Sequence, residues 1–244
     1  MLFLHTPWPP NVPVKAVMTT RLGGLEGAPP FEGFNLGINS GDDETRVKNH
    51  WDMLTHELGL LRPPKLLRQV HGATLVPPPE TDNYPSADGW IVSQAKIPVA
   101  VQVADCLAVA LARKDGSLAA LVHAGWRGLS SGILDHALEH LCMTYHENIY
   151  VWIGPGIDDW AYEVGEEVYQ GITRHYPWSF RYFKPTQPGH FRVGLGQIAL
   201  EFFQRQGCLT WLSKGGTWSR ADLWYSWRRS QPTGRQAMIL WIEG

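Results

Sequence analysis

Three segments of the chain each combine an apolar, strand-like pattern with a potential metal ligand. The ligands are His71 in KLLRQVHG, Cys106 at the end of VAVQVADC, and His123 in LAALVHAGW. Short strands that follow one another in sequence are commonly neighbours in one sheet, and their ends then meet at the same edge. The pattern therefore predicts a sheet-containing fold that brings these three side chains to one place.

Two imidazoles and one thiolate suit Zn²⁺, and three protein ligands leave a fourth position for water or substrate. A structural zinc site usually has four protein ligands, often with two cysteines paired as C-x₂₋₄-C, and the sequence has no such pair. The alternative is a buried cysteine that packs as a small hydrophobe beside two hydrogen-bonded histidines. The spacing of the three residues matches no general metal motif, so spacing alone leaves both interpretations open.

Length, charge and cysteine content limit the class of protein. The 244 residues are enough to bury a full core, and we expect one domain spanning residues 1–244. A net charge of −2 argues against nucleic acid or an anionic membrane as the main partner. Three cysteines without a close pair favour a reducing compartment, and neither a signal peptide nor a membrane-spanning stretch is evident. We therefore expect a soluble, cytoplasmic protein, whose oligomeric state the sequence does not define.

Hydrophobic periodicity predicts intermingled strands and helices without regular βα alternation, which favours an α+β fold with mixed sheets flanked by helices. One helix should begin at the N-cap Asp42 and end at Gly59, and the strand run should break near Ala104–Asp105. KDGS should form a hairpin turn within that run. The predicted strands are 15–21, 65–70, 89–93, the run 97–122, 150–156 and 236–242; the predicted helices are 42–59, 130–145, 164–176 and 195–206, with a loop at 177–189.

Two residues next to the potential ligands have possible roles of their own. Asp105 precedes Cys106 and could accept a hydrogen bond from the free N–H of a ligating histidine. An Asx-turn or a helix cap is the alternative for this side chain. Arg127 follows His123 in AGWRG, just before a predicted helix, which is a suitable place to bind phosphate or carboxylate. The alternative is a surface arginine that caps a carbonyl.

Other candidates are weaker. Arg21 in TTRLGG and Asn35 in FNLG lie in glycine-rich turns that often bind ligands, although such loops are weak signals individually. His136 and His140 have the spacing of a two-histidine metal site, but a solvated helix face is the stronger interpretation. Glu163, Glu166 and Glu167 could be paired carboxylates for acid–base catalysis. However, Glu166 and Glu167 lie near a predicted helix start, where negative charge interacts favourably with the helix dipole without any catalytic role.

Short sequence blocks occur in a fixed order along nearly the whole chain: TTRLGG, FNLGINSGDD, QVHG, ADGWIVS, ADCLAVAL, VHAGWRG, IGPGI, YEVGEEV, YSWRR and TGRQA. In this combination the chain resembles the laccase-domain family of purine nucleoside phosphorylases. Bacterial members of that family are also called polyphenol oxidases and peptidoglycan-editing factors.

The resemblance implies a single α+β domain similar to the catalytic domain of the cytotoxic necrotizing factors. It also implies zinc bound at His71, Cys106 and His123, which would be the catalytic centre. The implied activities are phosphorolysis of adenosine, inosine and methylthioadenosine, and deamination of adenosine. The partners would then be a small nucleoside and phosphate. The candidates for binding them are Arg21, Asn35, Arg127 and, more weakly, Arg228.

Some positions depart from the family pattern, and none of them is a predicted ligand. Val103 replaces a common threonine, Gly194 a common aspartate and Trp227 a common tyrosine, while 159–161 lacks the paired cysteines of many members. These departures bear on substrate preference rather than on the metal.

Three further functions compete with the zinc-dependent phosphorylase. The first is a cysteine hydrolase or amidase that edits a peptidoglycan precursor, with Cys106 as nucleophile and His123 as base. The second is a copper-dependent phenol oxidase, in which copper substitutes for zinc at the same three residues. The third is a non-catalytic binding module, which an open three-ligand site makes the weakest of the three.

Overall fold

Two β-sheets pack face to face in the middle of the molecule, and helices cover their outer faces. The computed structural model describes residues 2–81, 83–141 and 148–244. In chain order its strands are β1 (Phe3–His5), β2 (Val14–Thr19), β3 (Leu75–Val76), β4 (Gly89–Val92), β5 (Val99–Val103), β6 (Leu107–Arg113), β7 (Ala119–Ala124), β8 (Ile149–Ile153), β9 (Glu163–Gly165), β10 (Phe183–Gln187), β11 (His190–Val193), β12 (Leu209–Leu212) and β13 (Gln236–Ile242).

The larger sheet has the strand order β12-β8-β6-β7-β4-β3 and the smaller one the order β1-β2-β13-β5. The pairs β12/β8 and β3/β4 are parallel, while the other neighbours in these two sheets are antiparallel. A third sheet, β10-β11-β9, lies outside them. The arrangement confirms the predicted α+β class with mixed sheets. The helices are α1 (Glu44–Glu57), α2 (Trp126–Ser130), α3 (Ile133–Leu141), α4 (Glu166–His175) and α5 (Leu195–Arg205).

Successive side chains of a strand point to opposite faces of its sheet. Alternate residues of the central strands therefore contribute to different hydrophobic clusters, one on each face. In β6, Val109 and Leu111 pack with the residues of α3, α4 and α5, whereas Ala108 and Ala110 pack against the smaller sheet. The opposite face of the smaller sheet, which includes Ile239, packs against α1. The molecule is thus layered as helices, large sheet, small sheet and helix α1.

Several predicted elements are confirmed. The apolar run divides into β5, β6 and β7, with its break at 104–106 and the KDGS turn between β6 and β7. Helix α5 and the final strand β13 also match the predictions. No helix among the described residues is both long and apolar enough to cross a membrane.

Two predictions about elements are wrong. Residues 65–70 form no strand, and only single bridges link Lys65 to Val99 and Arg68 to Ser86. Residues 177–189 are not a plain loop, since they contain a 3₁₀ helix and β10. The bridges of residues 65–70 depend on distant residues, which local periodicity does not reveal. β10 instead pairs with the adjacent strand β11 in a hairpin, and its exposed residues lack the apolar pattern by which a strand is predicted.

Helix boundaries also differ from the predictions. The N-cap of α1 is Asp43, whose Oδ1 accepts a hydrogen bond from the Arg46 amide at 2.7 Å, and not Asp42. Asp42 instead forms an ion pair with Arg46. The predicted helix 130–145 corresponds to α3, which begins only at Ile133 because the separate short helix α2 ends at Ser130. The final part of the predicted range, including Cys142, lies outside the described residues.

Candidate metal and substrate site

The three predicted ligands meet at one end of the space between the two central sheets. Cys106 lies in the turn that joins β5 to β6, and His123 lies near the end of β7, opposite Ala108 of β6. His71 lies in the loop before β3. The potential ligand atoms of His71, Cys106 and His123 all lie within 4.8 Å of one another. Within the described residues these three form the one group of this kind.

Asp88, immediately before β4, holds two of these ligands in position. Its Oδ1 accepts a hydrogen bond from His123 Nδ1 at 2.8 Å and another from the His71 amide at 2.9 Å. Its Oδ2 accepts from the amides of Val70 at 3.2 Å and Gly72 at 2.6 Å. Because Nδ1 of His123 faces the carboxylate, Nε2 is the nitrogen left for a metal.

The backbone is strained at two positions beside the sulfur. The backbone φ angle is 60° at His71 and 89° at Asp105, and residues other than glycine rarely adopt such positive values. Strain of this kind costs of order 1–3 kcal/mol per residue and persists where the surroundings fix it. At His71 the Asp88 carboxylate does so, by binding three consecutive amides.

Asp105 does not contact a ligand histidine, so the predicted contact is wrong. Its Oδ1 accepts from the Thr217 hydroxyl at 2.5 Å and its Oδ2 from the Arg228 amide at 2.6 Å. The carboxylate therefore ties two distant loops to the turn that carries Cys106. The residue with the role predicted for Asp105 is Asp88.

Sulfur and imidazole affect each other's charge. Burial raises the pKa of Cys106, but the positive charge of His123 and hydrogen bonds from His123 and His71 outweigh it and bring the pKa to about 6. Burial lowers the pKa of His123, but the Cys106 thiolate and the Asp88 carboxylate outweigh it and raise the pKa to about 9. Without a metal, a thiolate thus lies beside an imidazolium at neutral pH.

Gly125, between β7 and α2, leaves room for the sulfur. A Cβ at this position would lie 2.9 Å from Cys106 Sγ and 3.5 Å from His71 Cδ2. The first distance is shorter than ordinary van der Waals contact, so any side chain here would displace the sulfur. The glycine of the HAGW block is therefore required for steric reasons, because only a residue without a side chain leaves space for Cys106 Sγ.

A cavity of about 520 Å³ opens over the three ligands. Four guanidinium groups line it, and its one lining carboxylate, Asp105, is already occupied by two hydrogen bonds within the described structure. Besides the ligands, the lining residues are Ile38, Asn39, Leu67, Arg68, Gln69, Gln102, Val103, Ala104, Asp105, Gly125, Trp126, Arg127, Tyr162, Trp227, Arg228 and Arg235. The cavity therefore suits a ligand that carries negative charge.

Two of the predicted substrate-binding residues line this cavity. The exposed Arg127 lies with its guanidinium carbon 4.4 Å from the centre of the Trp126 ring. It is part of the five-residue helix α2 rather than preceding a long one. Arg228 donates from Nη1 to the Glu163 carbonyl at 2.8 Å and lies over the ring of Tyr162.

The other two predicted substrate-binding residues have structural contacts outside the cavity. Arg21 donates to the carbonyls of Ala221 and Glu32, at 3.1 and 3.2 Å, and lies over the ring of Tyr225. Asn35 is fully buried, and both ends of its amide are used within the protein. Glycine-rich turns predicted ligand binding here, but these turns are anchored to the body of the protein.

The alternative metal and acid–base candidates find ordinary roles. His136 Nδ1 lies 2.8 Å from the Ala73 carbonyl, and no third ligand joins it and His140 in the described structure. Glu166 accepts a hydrogen bond from Gln170 one turn along α4. Both Glu166 and Glu167 lie in the first turn of that helix, as the dipole argument expects.

Sequence reasoning missed Asp88, Tyr162 and Arg235. Asp88 lies within the block ADGWIVS, where an acidic residue directly before a strand was the available signal. Burial raises the pKa of Tyr162, and the negative charge near Cys106 adds to this effect, so the phenol in the cavity wall stays neutral. Arg235 lies in TGRQA, far from the ligands in sequence, and only the fold brings it to the cavity.

The chain is similar to known proteins over nearly its whole length. The sequence model of a family described as multi-copper polyphenol oxidoreductase laccase matches residues 15–243. A Xylella fastidiosa protein named purine nucleoside phosphorylase is 36% identical, over 96% of this chain and 95% of its own. The Escherichia coli purine nucleoside phosphorylase YfiH is 32% identical over 96% of each. The crystal structure of a Neisseria meningitidis protein covers 99% of both chains with a TM-score of 0.92 and 30% identity.

Proposed function

The chain belongs to the multi-copper polyphenol oxidoreductase laccase family, and from this premise we propose that it is a metal-dependent purine nucleoside phosphorylase. The observation that carries the proposal is one cavity that holds both a three-ligand group and several arginines. Two relatives at 36% and 32% identity bear the name purine nucleoside phosphorylase. A nucleoside and phosphate are accordingly the proposed substrates.

We propose His71, Cys106 and His123 as the metal ligands. Their donor atoms fit Zn²⁺, because imidazole nitrogen and thiolate sulfur are its usual ligands and His123 already has its orienting carboxylate. Copper accepts the same donors and is the proposed substitute. When bound, the metal would supply Lewis-acid polarisation at the open position.

Phosphorolysis requires the chain to bind phosphate beside the nucleoside. A phosphate oxygen forms a bond to ribose C1′, the C1′–N9 bond breaks, and its electron pair leaves with the purine. Arg127 and Arg228 line the cavity and would neutralise the phosphate charge while it approaches. The neutral Tyr162 hydroxyl would serve as a hydrogen-bond donor to the bound substrate.

Deamination of adenosine is the proposed second activity. Here water adds at purine C6 and ammonia leaves, so no phosphate is needed. Adenosine, inosine and methylthioadenosine are the nucleosides expected for the phosphorolytic reaction. The presence or absence of phosphate should decide which product forms in the same cavity.

Product analysis tests both activities. Purified, zinc-loaded protein is incubated with adenosine with and without inorganic phosphate, and the products are separated by chromatography. We expect adenine and ribose 1-phosphate with phosphate, and inosine without it. Cys106→Ala should lose bound zinc and both activities while remaining folded, whereas Cys208→Ala, in the helix-side core, should keep the metal. Full activity in Cys106→Ala would refute the proposed centre.

A cysteine hydrolase is the second candidate, and the charge state of Cys106 favours it. A thiolate paired with an imidazolium is the usual arrangement for a cysteine nucleophile. Its substrate would be an amide, such as a peptidoglycan precursor. Chelation and alkylation distinguish the two candidates: a hydrolase would survive removal of the metal and lose activity on alkylation of Cys106, whereas the phosphorylase would lose activity in both treatments.

The family description also suggests a copper phenol oxidase. Multi-copper oxidases require several copper centres, and the described residues contain one three-ligand group. Phenol oxidation is therefore expected only after copper loading and only at a low rate. We propose the cytoplasm as the location, because an odd number of cysteines without a close pair in the sequence is typical of a reducing compartment.

A further inference from the structure

The guanidinium of Arg235 is anchored on one side and open on the other. Its Nη1 donates to the carbonyls of Thr233 at 2.6 Å and Gly234 at 2.9 Å. Its guanidinium carbon lies 5.1 Å from the centre of the Trp227 ring. Nε and Nη2 have no hydrogen-bond acceptor among the described residues, and the side chain lines the cavity over the ligands.

An arginine held in this way presents a preformed pair of donors. The Nε/Nη2 edge of a guanidinium matches two oxygens of a phosphate or carboxylate, and bidentate pairs of this type are strong and geometrically selective. The anchoring carbonyls and the aromatic ring fix the plane of the group before any ligand binds. Less conformational entropy is then lost on binding than with a free surface side chain.

The other arginines of the cavity are less well placed for this task. The guanidinium of Arg127 lies over the Trp126 ring but donates no hydrogen bond within the described structure, and the residue is exposed. Arg68 uses its Nε and Nη2 together on the Ser86 hydroxyl, so its bidentate edge is occupied. Arg228 shares the arrangement of Arg235, with Nη1 on a carbonyl and its plane over an aromatic ring, but it is more exposed.

Electrostatics supports the position of Arg235 near the chemistry. Burial lowers the pKa of its guanidinium, and the negative charges of Cys106 and Asp105 oppose that effect. These two charges therefore act on Arg235 across the cavity. A buried cation near the reacting centre gains free energy when an anion binds beside it.

We propose that Arg235 is the main anchor of the phosphate that reacts in this cavity, through its Nε/Nη2 edge, and that Trp227 holds its plane. The inference rests on the proposed phosphorylase function and adds a residue that determines the choice of nucleophile. It also gives a role to Trp227, whose ring centre lies 5.1 Å from the guanidinium carbon of Arg235. Tryptophan is the aromatic residue that interacts best with a cation over its face.

Steady-state kinetics tests the proposal with four proteins: wild type, Arg235→Lys, Trp227→Ala and Arg205→Lys. Phosphorolysis of adenosine is measured with phosphate varied at saturating adenosine, and then with adenosine varied at saturating phosphate. Arg235→Lys keeps the charge but loses the bidentate edge, so we expect the KM for phosphate to rise by about ten- to a hundredfold. Its KM for adenosine should change by less than about twofold, which a general structural defect would not produce.

Arg205→Lys is the matched control, because Arg205 also lies over a tryptophan ring, that of Trp178, but does not line the cavity. Its KM for phosphate should stay within about twofold of wild type. Trp227 is 44% exposed, so Trp227→Ala should fold and should raise the KM for phosphate by about three- to tenfold. An unchanged phosphate KM in both Arg235→Lys and Trp227→Ala, or an equal rise in both KM values, would overturn the proposal.

Calorimetric titration with inorganic phosphate separates this proposal from the proposed function. If wild-type protein cleaves no nucleoside but binds phosphate, and Arg235→Lys does not, the phosphorylase is refuted while the anion anchor stands. If wild type cleaves nucleosides and Arg235→Lys binds phosphate with unchanged affinity, the anchor is refuted while the phosphorylase stands. If wild-type protein does not bind phosphate at all, the proposal that Arg235 anchors phosphate is refuted too.

Discussion

A single buried carboxylate organises two of the three proposed ligands without being a ligand itself. Asp88 orients the ring of His123 and binds three consecutive amides around His71. Burial raises its pKa, but the hydrogen bonds from His123 and from the amides of Gly72 and His71 outweigh it and keep the pKa below the usual 3.8. Asp88 is therefore charged over the whole neutral range and keeps His123 in one tautomer.

Asp88→Asn should weaken zinc binding by about 10–100-fold, because the neutral amide stabilises the ligand imidazole less and cannot accept all four hydrogen bonds. Competition with a fluorescent chelator measures the affinity. Asp135→Asn is the control, since Asp135 also faces a histidine, with His175 Nε2 at 3.0 Å, but lies outside the cavity. Equal zinc affinity in Asp88→Asn and wild type would contradict the role given to this carboxylate.

His50 gives the stability of the protein a pH dependence. It is fully buried, with Nδ1 facing the Asn35 carbonyl and Nε2 accepting from the Leu25 amide, so a second proton has no place. Burial lowers its pKa below the usual 6.5; the charge of Arg46 acts in the same direction, while the Asn35 carbonyl and Asp42 oppose it. The unfolded chain therefore binds a proton near pH 6.5 that the folded protein does not.

The free energy of unfolding should consequently fall as pH decreases below 6.5, by up to about 1.4 kcal/mol per pH unit from this residue, until the folded-state pKa is reached. His50→Gln should be less stable at pH 7.5 but should lose less stability between pH 6.5 and 5. Urea unfolding at several pH values measures both slopes. His140→Gln, on the exposed face of α3, should follow wild type, and a His50→Gln slope equal to wild type would exclude His50 as the source.

At the scale of elements, the sheet places two ligands and a loop places the third. Cys106 and His123 are adjacent because β6 and β7 form a hairpin, and the apolar run with its KDGS turn predicted that hairpin. The His71 segment was predicted as a strand and is not one. Its position depends on backbone amides that bind a side chain on another segment, and no local periodicity encodes such a contact.

The same distinction explains which binding residues could be predicted. Arg127 follows a ligand directly in the sequence, so proximity along the chain placed it at the cavity. Arg235 reaches the cavity only because β13 pairs between β2 and β5, which is a long-range pairing. Arg21 and Asn35 lie in similar glycine-rich turns, but hydrogen bonds to distant segments use their polar groups within the protein.

The junction between β7 and α2 sets the space for the sulfur. Gly125→Ala would bring a Cβ to 2.9 Å from Cys106 Sγ, and metal–ligand distances tolerate shifts of only about 0.2 Å. We expect zinc affinity to fall at least about tenfold, with the far-ultraviolet circular dichroism spectrum unchanged. Gly196→Ala, within α5, is the control and should retain wild-type affinity. If Gly125→Ala binds zinc as well as wild type, the close approach does not constrain the site.

At the scale of the whole molecule, the proposed metal would connect an irregular surface segment to the core formed by the two central sheets. Cys106 and His123 belong to the closely packed centre, where the two sheets meet. His71 lies in an irregular segment at the surface, and its side chain is exposed. A metal bound by all three would therefore cross-link that segment to the core, and its binding energy would add to the stability of the fold.

Zinc should raise the melting temperature by an amount set by mass action. At free zinc one hundred times the dissociation constant, binding to the folded state stabilises it by about 2.7 kcal/mol. For a protein of this size 1 kcal/mol corresponds to about 2–4 °C, so we expect an increase of about 5–11 °C over protein held in chelator. Differential scanning calorimetry on the metal-free and zinc-loaded forms measures this increase. Cys106→Ala should lose most of it because a ligand is missing, whereas Cys208→Ala should retain it. The same increase in Cys106→Ala would mean that zinc stabilises the protein at some other place.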